Sequence, residues 1–223
     1  VQPRRHLHRR RGRLPARRLH RRRAATHALT PAAGSERLRR RGLRLAYFII
    51  AWDLLEGAVA ITAGLAAGSI ALLGFGIDSG IEVFAASVVV WQLRGGAHAR
   101  QATALRLISV SFAVLALYVG IESLRDLATS DKAGESLVGI ALNAVALAVM
   151  TPVAIAQRRT GRALDNEALV AQSTETWLSN YLSISLLAGL GANALLGWWW
   201  ADPLVALLVA ALAAKSAHGA WRE

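Results

Sequence analysis

The chain has 223 residues, 54% of them hydrophobic, and a mean hydropathy of +0.37. A soluble domain of this length is rarely so apolar, and the lack of cysteine excludes a disulfide framework or a thiolate metal site. The formal charge of +12 is unevenly placed: residues 1–44 hold 16 Arg against the single acid Glu36, and residues 45–223 hold 10 Lys/Arg against 13 acids.

Residues 1–44 are Arg-rich, with few large apolar side chains and no helical period. Such a composition predicts a disordered cytoplasmic tail. It reads as a positive flank touching anionic lipid. It also reads as an extension upstream of the true start, since the chain opens on Val1 and its one Met is Met150. A nucleic-acid arm is the weaker reading of the same charge. No apolar segment directly follows the charges, so the tail does not resemble a secretory signal.

Beyond residue 44, apolar runs reach the roughly 20 residues that cross a bilayer. Six spans are predicted, at about 45–67, 69–93, 107–128, 137–156, 168–196 and 202–217. Pro203 suits the first turn of the sixth. The connections test this count. Arg94, Arg100 and Arg106 lie between spans two and three, and Arg158, Arg159 and Arg162 between four and five. The intervening loops carry no such excess, and Trp198, Trp199 and Trp200 between spans five and six fit an interfacial aromatic belt. Strict alternation predicts an all-α, six-helix integral membrane bundle with both termini cytoplasmic. Residues 45–223 form its transmembrane domain, and a bacterial cytoplasmic (inner) membrane is the expected location. Gly57, Gly64, Gly74, Gly76, Gly80, Gly189 and Gly191 would let helices approach closely.

Five acids fall inside these spans: Asp53 and Glu56 in the first, Asp78 and Glu82 in the second, Glu175 in the fifth. No Lys, Arg or His shares those spans. A charge at the bilayer centre costs about 2.5–3.5 kcal/mol on insertion scales. Such carboxylates need a proton or a bound cation, which points to a site that takes metal and protons alternately. Spacing places Asp78 and Glu82, four apart, on one helix face, and Asp53 and Glu56, three apart, on another. Glu175 and Ser179 are again four apart, with Gln172 and Thr176 beside them. Glu122 is expected to pair with Arg125 near a helix end, and Asp202 to open the sixth helix against its dipole.

Three stretches resemble the cation diffusion facilitators, or cation efflux proteins. GSIALLGFGIDSGIEVFAASVVVWQLR (68–94) is similar to their second helix, ALVAQSTETWLSNYLS (168–183) to their fifth, and GWWWADPLVAL (197–207) to the start of their sixth. The similarity spans about 44–222. It implies a dimeric six-helix domain exporting divalent metal in exchange for protons. It also implies a site of two residues on helix two and two on helix five, here Asp78 and Glu82, Glu175 and Ser179. Glu175 and Ser179 stand where the family has His or Asp, and Asp. The all-oxygen set favours harder ions such as Mn²⁺, although zinc also accepts carboxylates. Asp53 and Glu56 are candidates for supplying the charge that Ser179 lacks. The family's cytoplasmic C-terminal domain has no counterpart in the roughly six residues after the sixth span.

The sequence therefore predicts a divalent-cation/proton antiporter of the Zn/Mn/Fe/Co class, working as a homodimer in the bilayer. The cation is cargo, and no cofactor is expected. The rival is a non-transporting cation-binding sensor or scaffold. An enzyme is not expected, since the spans lack His, Cys and a nucleophile–base pair.

Overall fold

The computed structural model describes residues 31–67, 70–95, 99–129 and 137–222. These contain six helices: α1 (Pro31–Ala67), α2 (Ile70–Arg94), α3 (Gln101–Thr129), α4 (Leu137–Leu164), α5 (Glu167–Leu196) and α6 (Ala201–Arg222). The chain divides into two compact units. Of the first, residues 1–37, the described part is the opening turns of α1. The second, Leu38–Glu223, holds everything that follows.

The helices outrun the predicted spans. Residues 31–44, assigned by composition to a disordered tail, are helical; residues 1–30 lie outside the described residues. Likewise α3 starts at Gln101 and α4 continues to Leu164. Hydropathy marks only the apolar part of a helix. Arg, Leu, Ala and Gln carry strong helical propensity, so the backbone continues into the polar flanks. Gly68, Ser69 and the acidic loop at 130–136 lie outside the described residues.

Five helices are long and apolar enough to cross a membrane; α5 is the exception, at 30 residues. It is diluted by polar residues, among them Gln172, Glu175, Thr176, Ser179 and Asn180, all buried. The burial pattern inverts that of a soluble protein. Large apolar side chains such as Leu54, Leu117, Leu195 and Leu208 are exposed, while carboxylates and amides sit inside. Lipid rather than water suits that exterior.

The apolar core centres on Phe112, Ile108 and Leu115 of α3, Val89 and Leu93 of α2, Leu169 of α5, and Val209 and Ala213 of α6. α3 packs most extensively on α6, and α4 on α5. The α4–α5 turn is tight. Asp165 takes a left-handed φ of 52°, tolerable for Asp. Asn166 then caps α5 by accepting from Leu169 N at 2.9 Å. Gly161 lies against Val170, where a Cβ would come within 2.8 Å of Val170 Cγ2. The far end of α5 closes on Gly197 at φ 71°, whose N–H bonds Asn193 O.

α2 meets α1 through glycines. A Cβ on Gly76 would lie 2.5 Å from Ile61 Cγ1 and 3.2 Å from the Gly57 carbonyl. One on Gly57 would lie 3.2 Å from Ser79 Cβ. This close approach brings the acidic faces of α1 and α2 together. Gly80 and Gly191, by contrast, face open space and serve no such contact.

Candidate cation site

Asp53 and Glu56 of α1, Asp78 and Glu82 of α2, and Glu175 and Ser179 of α5 are all buried. Their helical spacing explains this. Residues three or four apart share a face, and each pair lies on the face its helix turns inward. The structure gathers the acids around one interior. Asp53 lies within electrostatic range of Glu82, Glu56, Asp78 and Glu175. Glu56 senses Asp78, and Glu175 senses Glu82 and Asp78.

Few donors reach these carboxyls. The Thr176 hydroxyl donates to Glu82 Oε2 at 3.1 Å, with the Gln172 carbonyl its alternative at 3.4 Å. Ser179 lies beside both Asp78 and Glu82, yet its Oγ makes no hydrogen bond. Asp53 Oδ2, Asp78 Oδ1 and both carboxyl oxygens of Glu175 are likewise without a hydrogen-bond partner. Each unmet buried group of this kind costs about 1–3 kcal/mol. The stretches 45–93 and 167–196 contain no Lys, Arg or His to offset the charge. Among the described residues, no three Asp, Glu or His side chains converge closely enough to enclose a metal ion. The acids thus lie buried within electrostatic range of one another without forming a finished cage.

α3 also reaches the site. Ser111, buried, lies beside Glu175 and donates to Ile108 O at 2.7 Å. Sequence reasoning missed it, because a lone serine in an apolar helix carries no signal beyond its own polarity. Ser79 bonds Phe75 O at 3.1 Å, which fits a packing role. Trp52 lies beside Glu56 with its indole N–H unpartnered.

The remaining sequence-predicted residues lie elsewhere. Arg125 pairs with Glu122 at 3.8 Å. Asp202 stands in the first turn of α6 and accepts from Ser185 Oγ at 2.7 Å. Trp198 stacks on Trp200 at 5.6 Å between centroids. At the opposite end, α2 is closed by arginines. Arg39 donates to Leu93 O and Arg100 to Trp91 O, both at 3.1 Å, as cations at a helix C-terminus should.

The chain is similar to an uncharacterized transporter of Synechocystis sp., 28% identical over 162 residues, which are 68% of this chain and 51% of that protein. The chain thus spans about half the length of this curated relative. No family model matches it.

Proposed function

We propose that this chain is a membrane transporter for a divalent metal cation of the Zn/Mn/Fe/Co class, exchanging it for protons at the α1–α2–α5 carboxylates. One observation carries the reading. Five acids are buried on three helices, without a basic residue in those stretches, and several of their oxygens are unpartnered. Such groups are stable in lipid only when protonated or bound to a cation. One interior therefore favours exchange of one for the other. The similarity to a protein named as a transporter supports movement rather than storage. On this reading α5 also crosses the membrane, its polarity serving the site, and the arginine-bearing end is cytoplasmic.

Asp78, Glu82 and Glu175 take the cation, with Asp53 and Glu56 adding charge from α1. Protons arriving from the opposite side compete for the same oxygens and release it. Rocking of the helices would expose the interior to each side in turn. The test is Mn²⁺ flux into proteoliposomes containing wild type or Asp78→Ala. Asp78→Ala is expected to lower flux to the liposome background while remaining folded and monodisperse. Full flux in that variant would remove Asp78 from the site. Binding without flux in the wild type would mark a sensor instead.

A further inference from the structure

Four amide side chains lie buried between the carboxylates and the arginine-bearing end, and helix register orders them. α2 and α5 run antiparallel, pinned by Asn166 Nδ2 donating to Gln92 Oε1 at 3.1 Å and by Thr176 bonding Glu82 at 3.1 Å. Ten residues separate these pairs on either helix, about 15 Å at the α-helical rise. α4 and α5 are pinned by Asn180 on Thr151 at 3.5 Å and by Gly161 against Val170. That register sets Gln157 of α4 and Gln172 of α5 within a turn of each other in depth, both in the layer between the two pairs. Gln172 is also one turn from Glu175 and Thr176 on the same face of α5.

Gln157 is 0% exposed and Gln172 1%, yet neither the carbonyl oxygen nor the nitrogen of either amide has a hydrogen-bond partner. A primary amide offers two donors and an acceptor oxygen. Leaving all of them unmet costs about 1–3 kcal/mol for each group. Two such amides, adjacent in depth and facing inward, offer the donors and acceptors that water or a hydrated ion would take up when the helices part. Amide oxygen ligates hard cations or their waters, and being neutral it does not trap them as a carboxylate would.

Building on the transport reading, we propose that Gln157 and Gln172 line a hydrated path on which a divalent cation passes from the arginine-bearing end to the carboxylates. The Gln92–Asn166 pair stands at its mouth, and Gln172 and Gln157 lie in turn between it and the Glu175 and Glu82 carboxyls. The cation sheds part of its water against these amides before meeting charge.

The chain has no native cysteine, so single-cysteine variants can be labelled cleanly with a cationic methanethiosulfonate reagent. Gln157→Cys and Gln172→Cys are expected to react at least tenfold faster than Ala210→Cys, placed in the apolar core of α6, and Mn²⁺ is expected to slow both. In folded protein, labelling no faster than Ala210→Cys overturns the path. Fast labelling unaffected by Mn²⁺, in variants that bind Mn²⁺ like the wild type, overturns it as the cation's route. Failure of the wild type itself to bind Mn²⁺ defeats the transport reading instead. A second variant guards against misfolding: Gln172→Leu is expected to lower maximal Mn²⁺ flux at least tenfold with Kd within threefold of wild type. Unchanged flux in that variant contradicts the path.

Discussion

On the proposed transport reading, Ser179 stands where a charged side chain would add a fourth ligand to Asp78, Glu82 and Glu175. It sits beside Asp78 and Glu82, buried, with an idle hydroxyl. Ser179→Asp is expected to tighten Mn²⁺ and Zn²⁺ binding at least tenfold by titration calorimetry, about 1.4 kcal/mol. It should also lower the unfolding temperature in chelator, because an added buried carboxylate without a cation is destabilising. Unaltered affinity would show that the cation does not sit between α2 and α5. Thr176→Val removes the hydroxyl that donates to Glu82, and a loss of about 1–2 kcal/mol of cation binding is expected. At this scale the carboxylates were legible because charge in an apolar run is unmistakable. Ser111 and Gln157 were not, since which face of α3 or α4 turns inward depends on tertiary packing.

At the scale of the element, α1 and α2 depend on glycine contacts and α5 on its cap. Gly76→Leu drives a side chain into Ile61 and the Gly57 carbonyl. Overpacking of this kind typically costs about 1–3 kcal/mol. Here it should also part Asp53 from Asp78, so thermal stability in detergent and Mn²⁺ affinity are expected to fall together. Asn166→Ala removes the α5 cap and the hydrogen bond from Asn166 to Gln92. A loss of about 1–2 kcal/mol is expected in unfolding experiments. The sequence located the apolar centre of every helix but not its ends. α1, α3 and α4 carry their arginines on helical extensions that hydropathy reads as loop. The run at 168–196 was expected as a span, and it is a helix, but the buried polar residues of α5 lower its apolar character below that of the five helices able to cross a membrane.

For the whole molecule, the outward apolar surface and inward carboxylates describe a protein whose polar chemistry faces its own interior. Metal binding to carboxylates displaces protons, so cation affinity should weaken as pH falls, and binding should acidify a weakly buffered solution. The central claim is the exchange itself. Its most direct test is wild-type protein in proteoliposomes carrying a lumenal pH dye, with an imposed pH gradient and a panel of Mn²⁺, Zn²⁺, Fe²⁺ and Co²⁺. The account predicts that at least one of these ions moves only when the gradient is present, with protons moving the opposite way, and that Asp78→Ala abolishes both movements. Cation flux indifferent to the gradient, or no flux of any of the four ions, would contradict it.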